Sequence, residues 1–404
     1  MSEDSQDKEI NYSRMKRLTA TILSMSVLTV MAGAAIAPAL DIIGAHFSQA
    51  GVNEMTIKLI VSLPALFIIL TNLFFHSISQ RLTTRTIALI GLTVYVLSGA
   101  GCYFASDIVW LLCLRALLGV SVGLLMPLST GLLAYYFAPE EQAGLMGLSA
   151  AMNQLGGVVA TAIAGVLAAS CGWKYAFLVY LMGIPAMALV VAFLPAERIG
   201  DKSKRGKTFS LKSLLKFHPS VVGMWLLMMI FFIFPTNFAQ MASQDTYLGQ
   251  HHGMVTGIMV GLDMVALLMG LLFGQLMRCF RLSIKYFCPM LFLCGYGCYC
   301  VSMSLPMLIV GSALAGMATG VGVPYLNTIA SIKGGKTAAA TVMPLLSAAL
   351  YLGQFVSPLI VTPLAKWWFP DMPQGAFMVG CILSGVMLLQ VATTRKFQSL
   401  PPKQ

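Results

Sequence analysis

The sequence predicts an all-α integral membrane protein of twelve transmembrane helices, arranged as two pseudo-symmetric six-helix bundles. Three observations predict it. Of 404 residues, 58% are hydrophobic and 10% charged, and mean hydropathy is +0.83, far from the roughly 25% charged of an ordinary soluble domain. Apolar runs near the 20 or so residues that a bilayer core requires recur at 18–40, 56–75, 86–105, 108–136, 143–170, 175–194, 219–243, 253–275, 286–303, 306–330, 338–363 and 374–393. Sliding the chain against itself by 197 positions superposes Pro38 on Pro235, Arg81 on Arg278, Gly119 on Gly316, Gly123 on Gly320, Pro127 on Pro324 and Gly156 on Gly353.

The spans are read as helices because a helix satisfies its own backbone in lipid. The alternating ten-residue segments of a β-barrel are absent. In chain order, 1–17 is a polar tail whose first 13 residues are expected to be disordered. Residues 14–40 mimic a signal peptide, with Arg14, Lys16 and Arg17 ahead of an apolar run, but the run is too long and eleven spans follow, so it is kept as the first helix. Residues 18–194 form the first bundle, 195–218 a basic linker, 219–393 the second bundle and 394–404 a second tail. After a further three-residue shift, "AFLV" at 176 meets "AFMV" at 376.

Lysine and arginine set the orientation. All but Lys58, Lys174, Lys366 and Arg115 of the 25 fall on the side of the N-terminus, so both termini are expected in the cytoplasm. This also accounts for the net charge of +11 without nucleic acid, as basic loops beside anionic lipid. The nine cysteines, Cys294 and Cys298 among them, lack accompanying histidines or carboxylates and read as packing, not metal ligands. No phosphate-binding G-x-x-x-x-G-K-[ST] loop is present. No paired-carboxylate, Ser/His or metal cluster suggests an enzyme. Neither cofactor nor metal is expected.

Polar residues inside the spans are the candidate site. Arg115 stands among leucines and glycines, and its reading is open between contact with an anionic group and a tie to neighbouring carbonyls. Asp263 is the only carboxylate deep in a span. There, competition between desolvation and a neighbouring arginine is what a proton-coupled carrier can use, while a structural ion pair is the alternative. His252, eleven residues earlier, is either a proton relay or an exposed mouth histidine, and Asp41 joins the proton-coupling candidates. Asn237, Gln240 and Gln244 share one helical face after Pro235, facing substrate or holding helices together. Tyr325, Asn327, Asn153, Gln154, Tyr351 and Gln354 would complete a polar lining. The pairs Gly257/Gly261 and Gly270/Gly274 read as close helix packing.

The chain from 14 to 396 resembles the major facilitator superfamily. Arg115, Gly119 and Gly123 match the family's R-x-x-x-G-x-x-x-G element in the fourth span. "HSISQRLTTR" looks like a degraded G-x-L-x-D-R-x-G-R-R loop, with Arg81 and Arg85 kept and Gln80 in place of the aspartate, so these three are read as the gating loop. In the fifth span Ala160 and Thr161 stand where proton-coupled exporters of the family carry Gly-Pro. "APAL" followed by Asp41, and "GWKYAF" at 172–177, look most like the drug and metabolite exporter branch.

The resemblance implies a secondary transporter in a bacterial inner membrane, working by alternating access on a small organic or amphipathic solute and driven by protons or another ion gradient. The leading expectation is proton-coupled export of drugs or metabolites; the alternative is uptake or exchange of a small organic anion through Arg115. A non-transporting membrane scaffold is the reading from a different class. A monomer in the lipid bilayer is expected, with no nucleic-acid partner.

Overall fold

The computed structural model describes residues 3–36, 39–49, 51–52, 54–199, 211–242, 244, 252–370 and 372–394. Fourteen α-helices run in the order α1 (Glu3–Ala34), α2 (Leu40–Gln49), α3 (Glu54–Arg81), α4 (Thr84–Gly101), α5 (Ile108–Tyr136), α6 (Pro139–Cys171), α7 (Gly183–Phe193), α8 (Leu211–Phe231), α9 (Ile233–Ala242), α10 (His252–Phe280), α11 (Phe287–Val301), α12 (Leu305–Gly334), α13 (Ala338–Trp368) and α14 (Gly375–Thr393). Among the described residues there is no strand. Among the described residues eleven helical stretches are long and apolar enough to cross a membrane, and one of them, Leu305–Trp368, holds both α12 and α13 around the short turn Gly335–Thr337.

Local chemistry explains the helix boundaries. Thr83 and Asp107 cap α4 and α5 by accepting from the amides of Thr86 and Trp110. Pro139 starts α6, with Glu140 and Glu141 in its first turn facing the positive end of the helix dipole. Three expectations are corrected. The segment read as a disordered tail is helical from Glu3, continuous with the first span. That span ends at Ala34 rather than residue 40, and α2 is a separate short helix. The seventh span is two helices, α8 and α9, broken at Phe232, three residues ahead of Pro235, whose missing N–H cannot continue the ladder. Pro38 lies outside the described residues.

The chain forms two compact units. One contains Met1–Ala138, Leu155–Phe209 and Gly334–Ser347; the other contains Pro139–Gln154, Ser210–Lys333 and Ala348–Gln404. In the first, α3 and α4 pack on α5, and α1 packs on α5 and α7. In the second, α14 packs on α11 and α8.

The 197-residue repeat is a repeat of contacts. A Cβ at Gly119 would lie 2.5 Å from the Pro64 carbonyl oxygen on α3, and one at Gly316 would lie 2.5 Å from the Leu262 carbonyl oxygen on α10. Gly156 meets the Val27 carbonyl of α1 and Gly353 the Trp225 carbonyl of α8, both so closely that no side chain fits. Gly270 and Gly274 are packing positions as expected, against Ala151 and Gly144. Gly257 and Gly261 differ: among the described residues a Cβ on either meets nothing within 4 Å.

One pair of repeat positions exchanges its residues. In the first unit the Tyr180 ring covers Gly99 of α4, and its hydroxyl donates to Ala32 O at 3.0 Å. In the second unit the ring comes from the other partner: Tyr296 of α11 covers Gly380 of α14 and donates to Ile230 O at 2.7 Å. Position 99 matches 296 in the 197 register, and 180 matches 380 in the shifted register of "AFLV" and "AFMV". The two rings therefore reach the first helix of their unit from opposite spans, at carbonyls that lie one residue apart in the 197 register.

Candidate functional site

Arg115 is completely buried on α5. Its Nε donates to Ile60 O at 2.9 Å, and Nη1 donates to the Tyr180 hydroxyl at 2.8 Å. Ile60 is four residues before Pro64, so its carbonyl is the one that the proline leaves without a helical donor. The arginine thus replaces a missing backbone hydrogen bond in α3 and, through Tyr180 and Ala32 O, also holds α1. Tyr95 packs edge-on against Tyr180 and donates to Leu28 O at 3.1 Å, which closes the cluster. Nη2 has no partner. The repeat position of Arg115 is Ser312, which pairs with the Tyr299 hydroxyl at 2.7 Å, so the second unit makes a neutral version of this tie.

Asp263 is half-buried in the middle of α10, next to Leu262, whose carbonyl packs against Gly316. It has neither hydrogen bond nor ion pair among the described residues. The amides after Pro235 are turned outward. Phe234, Phe238 and Met241 fill the buried side of α9, Asn237 is half-buried, and Gln240 and Gln244 are exposed. Asn237 Nδ2 donates locally, to Ile233 O at 2.9 Å and to Thr236 Oγ1 at 2.8 Å.

Tyr325 and Asn327 are buried on α12 and Tyr351 on α13, while Gln354, Asn153 and Gln154 are half-buried. Arg115 belongs to the first unit and the other substrate-binding candidates to the second. The side chains of Asp41 and His252 lie outside the described residues; their backbones sit in α2 and at the start of α10.

At the end of α3, Arg81 is exposed and Arg85 donates to Val191 O. Gln80, in the position of the aspartate, lies with Nε2 3.0 Å from His76 Nε2, and His76 Nδ1 is 3.2 Å from Ala340 O. One turn earlier, Asn72 Nδ2 donates to the Ser347 hydroxyl at 2.8 Å, in full burial, with Asn72 Oδ1 lacking a hydrogen-bond partner among the described residues. These neutral contacts were missed from the sequence because the motif drew attention to charges. Replacing Ser347 by alanine is expected to destabilise the protein by about 1–2 kcal/mol, since it strands the whole Asn72 amide. Replacing both, as Asn72→Leu with Ser347→Ala, is expected to recover part of that loss. Thermal melts of the two variants check the order; a double variant less stable than Ser347→Ala alone would count against it.

The helices are long and apolar enough to cross a membrane, and several of them carry polar side chains tied to neighbouring helices. Residues 22–358 match the family model of the Major Facilitator Superfamily, and the chain belongs to that family of transporters, which are not enzymes. Among curated relatives, the methylenomycin A resistance protein of Bacillus subtilis is 32% identical over 130 residues, 32% of this chain and 28% of that protein. The riboflavin transporter RibZ of Clostridioides difficile is 23% identical over 167 residues, 41% of this chain and 36% of that protein. The niacin transporter NiaP of Acinetobacter baylyi is 28% identical over 132 residues, 33% of this chain and 30% of its own length. The matched stretches thus span only about a third of those relatives. Among solved structures, the human organic anion transporter MFSD10 has a TM-score of 0.76 at 18% identity, covering 93% of this chain and 99% of that one. The proton:xylose symporter XylE has a TM-score of 0.77 at 14% identity, covering 94% and 95%. At these identities the structural likeness shows the fold.

Proposed function

We propose that this transporter exports small amphipathic organic solutes in exchange for protons, across a bacterial inner membrane with both termini in the cytoplasm, and that Asp263 carries the proton. One observation carries the reading: Asp263 is a mid-span carboxylate, half-buried, with no partner among the described residues to hold it in one charge state. An intramembrane acid without a structural partner is a functional group by default. The outward-facing amides of α9 support a wet path, because amides turned to lipid would be costly. The resistance and vitamin-transport relatives support a small organic solute. The segments 18–194 and 219–393 would act as the two halves of an alternating-access carrier, with Arg81, Arg85 and Gln80 at its gating loop.

In proteoliposomes under an imposed pH gradient, Asp263→Asn is expected to reduce uphill transport to the level of protein-free vesicles while downhill exchange of the same solute persists. Uphill transport that survives the substitution removes Asp263 from the mechanism. A second reading, exchange of an organic anion, rests on the unpartnered Nη2 of Arg115. Equal affinity for organic anions in wild type and Arg115→Ala, measured by calorimetry in detergent, would refute it.

A further inference from the structure

Four of the nine cysteines, Cys294, Cys298, Cys300 and Cys381, gather on one helix pair of the second unit, α11 and α14, and all are free thiols. The two helices run antiparallel. The ring of Tyr299 lies 4.7 Å from that of Phe377, Tyr296 covers Gly380, and Leu293 O is 3.9 Å from the Cys381 sulfur. Cys300 follows Tyr299 and Cys381 follows Gly380, so each thiol adjoins one of these contacts. A helical side chain leans toward the N-terminus of its own helix, and across an antiparallel pair two such side chains lean toward each other. The Cys300 and Cys381 thiols meet in this way and are hydrogen-bonded to one another. Cys294 and Cys298 lie within electrostatic reach of Cys381.

Two touching thiols can be completed by further ligands to hold a metal ion, or they can be oxidised. Among the described residues no group of three histidines, cysteines or carboxylates could hold a metal, so the chemistry open to this pair is redox. The internal repeat supplies a control. The positions matching Cys300 and Cys381 in the first unit are Tyr103 and Leu181, so the shared architecture calls for a thiol at neither place. Cys300 is the last residue but one of α11 and of the apolar span Ser283–Val301, while Cys381 lies in the second turn of α14; both are half-buried. With both termini in the cytoplasm, as proposed above, this end of α11 faces the outer compartment, and a bacterial periplasm is oxidising. The sulfur contact itself does not depend on that orientation.

We propose that Cys300 and Cys381 are a redox pair that closes to a disulfide and staples the end of α11 to α14. The oxidant is a disulfide of the glutathione class. Cys300, nearer the end of its span, attacks first: its thiolate forms a bond to one oxidant sulfur and expels the other as a thiol. The Cys381 thiolate then attacks the Cys300 sulfur of this mixed disulfide and expels the second thiol. Two protons leave the protein and two electrons pass to the oxidant, which ends as two thiols.

The test exposes the purified full-length protein in detergent to oxidised glutathione, alkylates the remaining thiols, digests without reductant and reads the peptides by mass spectrometry. Wild type is expected to yield a linked peptide joining Cys300 to Cys381, two hydrogens lighter than its parts and lost on reduction. Cys294→Ser and Cys298→Ser are expected to keep that link. In Cys381→Ser the second step is blocked, so glutathione should accumulate on Cys300 several-fold above wild type. Equal glutathione on Cys300 in wild type and Cys381→Ser overturns the proposal. So does a link from Cys381 to Cys294 or Cys298 in place of Cys300. Should Cys381→Ser fail to fold, Cys300→Ser decides: Cys381 is expected to stay a free thiol, and a Cys381 that takes up glutathione unaided overturns the assignment of Cys300 as the attacking group. Thiols alone are read, so failure of the transport reading would leave these outcomes unchanged.

Discussion

Replacing Arg115 by methionine is expected to lower the stability of the purified protein by about 2–4 kcal/mol, seen as a fall of several degrees in its melting temperature. The substitution removes two charge-assisted hydrogen bonds, one to Ile60 O and one to the Tyr180 hydroxyl. It leaves a buried carbonyl that has had no helical donor since Pro64 took the place of one. Relief of the unpartnered Nη2 offsets part of the loss. Lysine should not rescue, because one ammonium cannot reproduce the spread of the guanidinium fork. Pro64 provides a sharper check. In a Pro64→Ala background the helix regains an amide for Ile60 O, so the penalty of Arg115→Met should shrink by about 1 kcal/mol. Penalties that simply add across the two sites would show that arginine and proline do not share that carbonyl.

Alanine at Gly156 is expected to be worse, costing about 3 kcal/mol or more and reducing the yield of monodisperse protein. Its Cβ would fall on the Val27 carbonyl oxygen, and a helix backbone cannot swing aside as a side chain can. The helices would have to separate, stretching the hydrogen bond from Thr161 to Ala34 O, now 3.3 Å, on the same helix pair. The repeat predicts the same outcome at Gly353 against Trp225 O. Gly257 is the control: a Cβ there meets nothing within 4 Å, so Gly257→Ala should leave stability unchanged or raise it by up to about 1 kcal/mol through helix propensity. Size-exclusion profiles and melting curves of the three variants together are the measurement. A well-behaved Gly156→Ala would mean that α1 and α6 pack less tightly than described.

Sequence reading located the spans because lipid demands long apolar runs and leaves few other ways to bury a backbone. The glycines at 119, 156, 316 and 353 were legible through their repetition, which marks contacts made twice. Individual helix ends were less so: the run 18–40 stays apolar past Ala34, and nothing in its hydropathy shows where the helix stops. For Arg115 the type of partner was foreseen as a possibility, and the carbonyl itself could have been found by counting four residues back from Pro64. Tyr180 could not have been, since a contact 65 residues away leaves no local periodicity. Lys285 counts with the loop charges in the sequence, yet its side chain is buried, because the letter of a lysine near the start of a span does not show how its stem packs.

The traded positions of tyrosine and glycine limit how the two halves can be recombined. A hybrid that joins α4, with Gly99, to α14, with Gly380, would have a hole the size of a phenol ring, and its first-helix carbonyl would lose a donor. The opposite hybrid, α11 with the Tyr180 segment, would force two rings into one space. The third and sixth spans of a half are therefore inherited as a set, and a chimera survives only when both cross over together.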